Sequence, residues 1–161
     1  MKESIYLETT IVGYYTSKPS RDIIVLAHQE ITREWWEKAL KRYDAFISAM
    51  VVEEAKSGDP DAAKKRLGIL KQFAHLELNP SVEKMAQVYV EKLKFPPKAL
   101  RDAVHLAVAS VHSIDYLLTW NCSHIANGEV IMKLMQINAL HGIKTPIICT
   151  PEELMPRVKG E

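Results

Sequence analysis

The sequence predicts an α/β protein of three layers, α/β/α, with a central, mainly parallel sheet flanked by helices. Short apolar runs that suit strands alternate with segments of helical periodicity along the whole chain, which is the pattern of a two-sided parallel sheet rather than of a sandwich or a bundle. Of the 161 residues, 47% are hydrophobic and 25% charged, a balance that excludes disorder. No repeat, low-complexity tract or linker interrupts the alternation, so residues 1–161 are read as a single domain that needs no disulfide or metal staple to hold its core.

Ser4 to Leu7 is the first strand, with the carboxylate Glu8 at its end and a loop, "GYYTSKPS", expected soon after. Ser20 is a plausible N-cap for a long amphipathic helix through "RDIIVLAHQEITREWWEKALKRY", in which Ile23, Ile24, Ala27, Ile31, Trp35 and Ala39 recur at helical spacing. "DAFIS" is a short strand, and "AMVVEEAKSGDP" a brief helix stopped by Gly58. Asp59-Pro60 is a cap followed by a helix-opening proline, and "DAAKKRLGILKQF" is the helix it opens. "AHLELN" then suits a strand and "PSVEKMAQVYVEKLKF" a helix. An extended lead into a helix from about Pro97 follows, with Ala103, Leu106, Ala107 and Ser110 as its small-residue, apolar stripe. The series closes with a strand in "IDYLLTW", a helix in "NGEVIMKLMQINALHG" ended by Gly142, and a strand in "TPIICT".

A formal net charge of +1 gives no global basic field, so any nucleic-acid contact must be local. No apolar stretch approaches the roughly 18 residues of a membrane span. Cys122 and Cys149, with no signal peptide ahead of them, suggest reduced thiols and a cytoplasmic setting.

In open parallel sheets the ligand site lies outside the carboxyl ends of the strands. Four polar residues fall there: Glu8, Glu54, Asp102 and Asn121. Each acid taken singly has a bland explanation, such as a first-turn acid favoured by the helix dipole. Gathered together, carboxylates raise one another's pKa, and a site that collects three commonly does so around a divalent cation, for which Mg²⁺ or Mn²⁺ suits an oxygen-rich donor set.

The stretches "IYLETTIVGYY", "ISAMVVEEAKSG", "LRDAVHLAVASVHSIDYLLTWN" and "TPEEL" resemble the successive signatures of the PIN-domain ribonucleases, in particular the VapC-type toxins of toxin–antitoxin pairs. The resemblance spans nearly the whole chain. It implies a PIN-like fold and a Mg²⁺- or Mn²⁺-dependent endoribonuclease that cuts RNA to leave a 5′-phosphate and a 3′-hydroxyl. It places Glu8, Glu54, Asp102 and Asn121 in the catalytic set, with Glu8, Glu54 and Asp102 as metal ligands. Ser48 lies six residues before Glu54 and Gly58 four after it, which selects Glu54 over Glu53. Two departures stand out, because Glu8 and Asn121 each replace an aspartate of the family pattern. The alternative is therefore a PIN module that has lost its cutting activity and binds RNA or a protein. The resemblance also implies a homodimer and a small antitoxin partner that covers the site.

Around these residues, the hydroxyls of Thr9, Ser48 and Thr119 are placed to orient the carboxylates. Lys98, Arg101 and His124 are candidates to meet RNA, whereas Lys64, Lys65 and Arg66 read as a solvated helix face. His105 is read as a packed, hydrogen-bonded histidine rather than a ligand. Cys122 and His124 lack two further ligands at zinc spacing, so zinc is not expected. Trp35 and Trp36 point about 100° apart on a helix, so one of them is expected at an edge or interface.

Overall fold

Five strands and seven α-helices alternate in the computed structural model, which describes residues 1–158 and 160. The order is β1 (Ser4–Leu7), α1 (Thr9–Thr16), α2 (Ile23–Ala39), β2 (Asp44–Ser48), α3 (Ala49–Ala55), α4 (Pro60–Leu70), β3 (Ala74–Leu76), α5 (Pro80–Lys92), α6 (Leu100–Val111), β4 (Tyr116–Leu118), α7 (Gly128–Leu140) and β5 (Ile147–Cys149). The strands form one sheet in the order β3-β2-β1-β4-β5, and every neighbouring pair is parallel.

The chain starts at the centre of this sheet, moves outward through β2 and β3, then returns past β1 to β4 and β5. Parallel crossovers are right-handed, so reversing the direction of travel puts the later helices on the other face. Helices α1 to α4 therefore cover one face, where α1 packs on α2, α3 and α4. Helices α5 to α7 cover the other, where α5 packs on both α6 and α7. The result is a three-layer α/β/α sandwich whose central strand has Ile5, Tyr6 and Leu7 buried. Among the described residues no helix is long and apolar enough to cross a membrane.

Local chemistry accounts for the boundaries and for three corrections to the sequence-based expectations. The loop expected at "GYYTSKPS" begins later, because Gly13 to Thr16 continue α1. Glu8 is the N-cap of that helix and accepts from the Thr10 N–H, and burial of Ile11 and Val12 outweighs the poor helix propensity of Gly13 and the tyrosines. The N-cap of α2 is Asp22 rather than Ser20; its Oδ1 accepts from the Ile24 and Val25 N–H groups, while Ser20 Oγ accepts from the Asp22 N–H. The strand in "AHLELN" is only Ala74–Leu76, an edge strand paired on one side. Asp59 and Pro60 open α4 as expected, with Asp59 Oδ2 accepting from the Ala62 N–H. Gly58 and Gly142 adopt φ of +85° and +66° beyond the ends of α3 and α7, the left-handed conformation that stops a helix cheaply only at glycine.

The paired tryptophans divide as their angular separation requires. Trp35 is fully buried, whereas Trp36 is half-buried at an edge and stacks on Tyr15 with ring centroids 4.1 Å apart.

Candidate active site

The four polar residues singled out at the strand ends share one open cleft of about 460 Å³, lined by Glu8, Glu54, Asp102 and Asn121 together with Thr9 and Arg101. Each arrives by a different element. Glu8 ends the central strand, Glu54 lies in the last turn of α3, Asp102 is in the first turn of α6, and Asn121 follows β4.

Glu8 is 3% exposed, an unusual setting for a carboxylate. Its Oε1 accepts from the Thr10 N–H at 3.2 Å, the Thr10 hydroxyl at 2.5 Å and the Thr119 hydroxyl at 2.7 Å. These bonds spend one oxygen, and among the described residues no donor reaches Oε2. Burial pushes the Glu8 carboxyl above its usual value, against the opposing pull of the His105 charge and the threonine hydrogen bonds.

Glu54 is clasped in the same one-sided way. Its Oε1 accepts from the Thr9 hydroxyl at 2.7 Å and lies 2.5 Å from His105 Nε2, again with no protein donor to Oε2 among the described residues. Burial, the largest single influence, would raise this carboxyl. The hydrogen bond and charge of His105, the Thr9 hydroxyl and the nearby Arg101 together outweigh it and hold the group below its usual value.

His105 is the partner that makes this possible. It is fully buried, and desolvation alone would lower its pKa, but the hydrogen bond to Glu54 and the charges of Glu8, Glu54 and Asp102 outweigh this and hold it above its ordinary value. Both ring nitrogens are engaged: Nε2 donates to Glu54, and Nδ1 shares a 2.7 Å hydrogen bond with the Tyr6 hydroxyl, which shares a second, of 2.8 Å, with Ser48 Oγ. Burial also pushes the Tyr6 phenol well above its ordinary value, so it remains neutral in this chain of hydrogen bonds.

One ligating atom each from Glu8, Glu54 and His105 lie within 4.8 Å of one another. His105 is a charge neighbour here rather than a ligand, since both of its nitrogens are engaged. Glu8 and Glu54 each have an oxygen left over, and Asp102 lines the same cleft, so the carboxylates available are the donor type that suits a hard divalent cation such as Mg²⁺ or Mn²⁺. Asp102 stands outside the tight group. Its Oδ2 lies 3.1 Å from His124 Nδ1.

The remaining expectations divide. Thr9 and Thr119 hold carboxylates as anticipated, and Thr119 Oγ1 also accepts from the Asn121 N–H. Ser48 does not: it meets Tyr6 and is three hydrogen bonds away from Glu54. Asn121 lines the cleft, but its Oδ1 accepts from the His124 N–H at 3.0 Å and caps the following turn. Arg101 lines the cleft, and Lys98 is exposed outside its lining. Arg66 departs from the solvated face expected for it, because its guanidinium donates to the Ala55 and Ser57 carbonyls and the side chain forms part of the cleft wall.

Tyr6 and Thr10 were not singled out from the sequence, although a signal existed. Tyr6 lies two residues before Glu8 and so shares its side of the extended chain, while His105 sits one helical turn after Asp102. Fold and cleft together define an open parallel α/β protein with an acidic pocket at the carboxyl edge of its central strands. No protein-family model matches the chain, and no curated protein matches its sequence.

Proposed function

We propose that the protein is a metal-dependent endoribonuclease of the PIN type, which hydrolyses RNA phosphodiester bonds with Mg²⁺ or Mn²⁺. The observation that supports this reading is the pair of carboxylates, buried Glu8 and half-buried Glu54, each bound by the protein through Oε1 alone and facing a cleft shared with Asp102. A carboxylate held this way is aimed, with its second oxygen left for a ligand.

A divalent cation held there would supply a water of lowered pKa and offset the charge that builds on the scissile phosphate. Glu8, Glu54 and Asp102 would hold it. Thr10 and Thr119 fix the rotamer of Glu8, and Thr9 and His105 fix that of Glu54, so little is spent on ordering these groups when a ligand arrives. His105 also cancels one negative charge of the cluster. A carboxyl held below its usual value is a poor proton acceptor, which makes Glu54 a ligand rather than a general base. Arg101, on the cleft wall, meets a phosphate beside the cut.

The proposal extends to a toxin acting as a homodimer under a small antitoxin. A second reading, an inactive PIN module that binds RNA or a protein, is favoured by one observation: Asn121 is a neutral amide whose oxygen is already taken by the His124 N–H, so the fourth position offers neither an anionic nor a free oxygen. One assay separates the two. Protein stripped of metal is given Mg²⁺ or Mn²⁺ and incubated with structured and unstructured RNAs beside an Asp102→Ala control. Metal-dependent cutting that disappears in the control supports the nuclease. RNA or partner binding without cutting by either protein overturns it.

A further inference from the structure

The acidic cleft is the first of three cavities that share walls. Arg66 lines both the cleft and a second cavity of about 540 Å³ between the end of α1 and the start of α4, where Lys18 and Lys65 also lie. Lys65 and Thr16 line both that cavity and a third, of about 370 Å³, which adds Lys64 and Tyr15. The openings therefore run in series along the α1–α4 seam, away from the acids.

Two properties of this seam point to one class of ligand. The first is uncompensated charge. Lys18, Lys64 and Lys65 are exposed, and none has a carboxylate within 4.0 Å among the described residues, in contrast to Lys38, Lys56 and Lys144. Asp59 and Asp61 also line the second cavity, where Lys18, Lys65 and Arg66 outnumber them. The second is an aromatic wall beside the far lysines. Tyr15 is held by its stack on Trp36, itself braced edge-on by Phe73 at 5.6 Å.

We propose that the α1–α4 seam is a track for single-stranded RNA, on which Arg66, Lys65, Lys64 and Lys18 carry successive phosphates into the acidic cleft and Tyr15 contributes a stacking face for a base. A basic groove combined with an aromatic platform is how unpaired nucleic acid is held without reading its sequence. The track deepens, and rests on, the nuclease reading above. It also gives Arg66 a place at the junction, where its backbone hydrogen bonds keep the guanidinium fixed.

The test reads binding rather than cutting. Anisotropy of a labelled, unstructured oligoribonucleotide is followed with metal chelated, as a function of salt. Lys64→Gln/Lys65→Gln should weaken binding about tenfold and flatten the log–log salt slope by about 1.4, since each phosphate contact on a single strand contributes about 0.7. Lys92→Gln/Lys133→Gln, an equal charge change on the opposite helical layer, should shift affinity less than about twofold. Tyr15→Leu should cost about tenfold for RNA and nothing for inorganic polyphosphate, which has no bases to stack. Equal loss in the two lysine pairs, or none in the first, overturns the track, as does a wild-type protein that binds no RNA. An unchanged Tyr15→Leu overturns the stacking face. Cutting by wild type with an unaffected Lys64→Gln/Lys65→Gln would overturn the track and leave the nuclease reading standing. Lost binding without cutting would do the reverse.

Discussion

Two polar networks are buried in this protein, and they are built to opposite rules. The first joins Ser48, Tyr6, His105, Glu54 and Thr9 beneath the cleft, with Glu8 and its threonines beside it. The second lies on the other side of the molecule, among α5, α6 and α7. There the Tyr89 hydroxyl donates to Asn138 Oδ1, and Asn138 Nδ2 donates to Ser110 Oγ at 3.3 Å and to Thr145 Oγ1 at 2.9 Å. The second network is neutral and closed, with the donors and acceptor of Asn138 all spent within it. The first is charged and stops short, leaving one oxygen on each of two carboxylates with no protein donor among the described residues. A closed network contributes to stability and specifies packing. An open one costs stability, and that cost makes sense where a ligand completes it.

The largest effect that would break this contrast is expected at Glu8. Glu8→Gln keeps an acceptor for Thr10 and Thr119 but removes a carboxylate that burial makes unfavourable. RNA cutting should fall more than about a hundredfold, beyond what loss of an outer metal partner usually costs. The melting temperature measured at pH 8 should nevertheless rise by about 2–4 °C, corresponding to about 1 kcal/mol. A fall in both would show that Glu8 is simply structural.

His105→Gln comes next. The folded protein raises the pKa of His105 from 6.5 and lowers that of Glu54 from 4.5. The contribution of His105 is thus complete below pH 6.5 and is lost as pH rises through its raised value. That of Glu54 is complete above pH 4.5 and is lost as pH falls through its lowered value. Both are present together between pH 4.5 and 6.5. Denaturant titrations should show the variant about 3 kcal/mol less stable than wild type in that window, with the gap narrowing at alkaline pH. A gap independent of pH would mean that the pair is not ionic.

Asn138→Ala should cost about 2 kcal/mol, because it strands the Tyr89, Ser110 and Thr145 hydroxyls. Its cutting rate per folded molecule should match wild type, and loss of cutting would show that the two networks are coupled.

Smallest is the clip at the amino end of the sheet. Asp115 there accepts from the Ser4 N–H and hydroxyl and pairs with Lys144 at 2.7 Å. The Lys144 hydrogen bond and the bonds from Ser4 bring the Asp115 carboxyl down to about 2. Its stabilisation is therefore present above pH 3.8 and lost as pH falls toward about 2. The side chain is partly exposed, so solvent screening limits Asp115→Asn to under about 1 kcal/mol by thermal melts near neutral pH.

The alternation of strands and helices, and with it the parallel sheet, was legible because strand-length apolar runs and helical periodicity are local signals. The shared edge of Glu8, Glu54, Asp102 and Asn121 was legible for a related reason: strand ends in a parallel sheet converge whatever the details of packing. What supports those acids was not. Tyr6 reads as one more apolar strand residue, and nothing local reveals that its hydroxyl spans Ser48 and His105. The packed, hydrogen-bonded role expected for His105 agrees with the geometry, but the rise in its pKa depends on acids 51 and 97 positions away in sequence. Helix α1 was not legible either, since glycine and tyrosine are weak helix formers and "GYYTSKPS" suggests a loop, while the burial of Ile11 and Val12 that favours the helix is a property of the assembled fold.

The clasp on Glu8 also has a consequence for the newborn chain. Thr10 and Thr119 hold the same oxygen, and the Glu8 N–H donates to the Leu118 carbonyl, although these partners are separated by some 110 positions in sequence. The central strand is made first but gains its second neighbour only when β4 emerges. Translation adds roughly 5–20 residues each second, so for several seconds a chain on the ribosome carries Glu8 without the clasp that aims it. The acidic cleft is among the last features of the sheet to be completed, so any ligand that needs Glu8 aimed can bind only after β4 has docked.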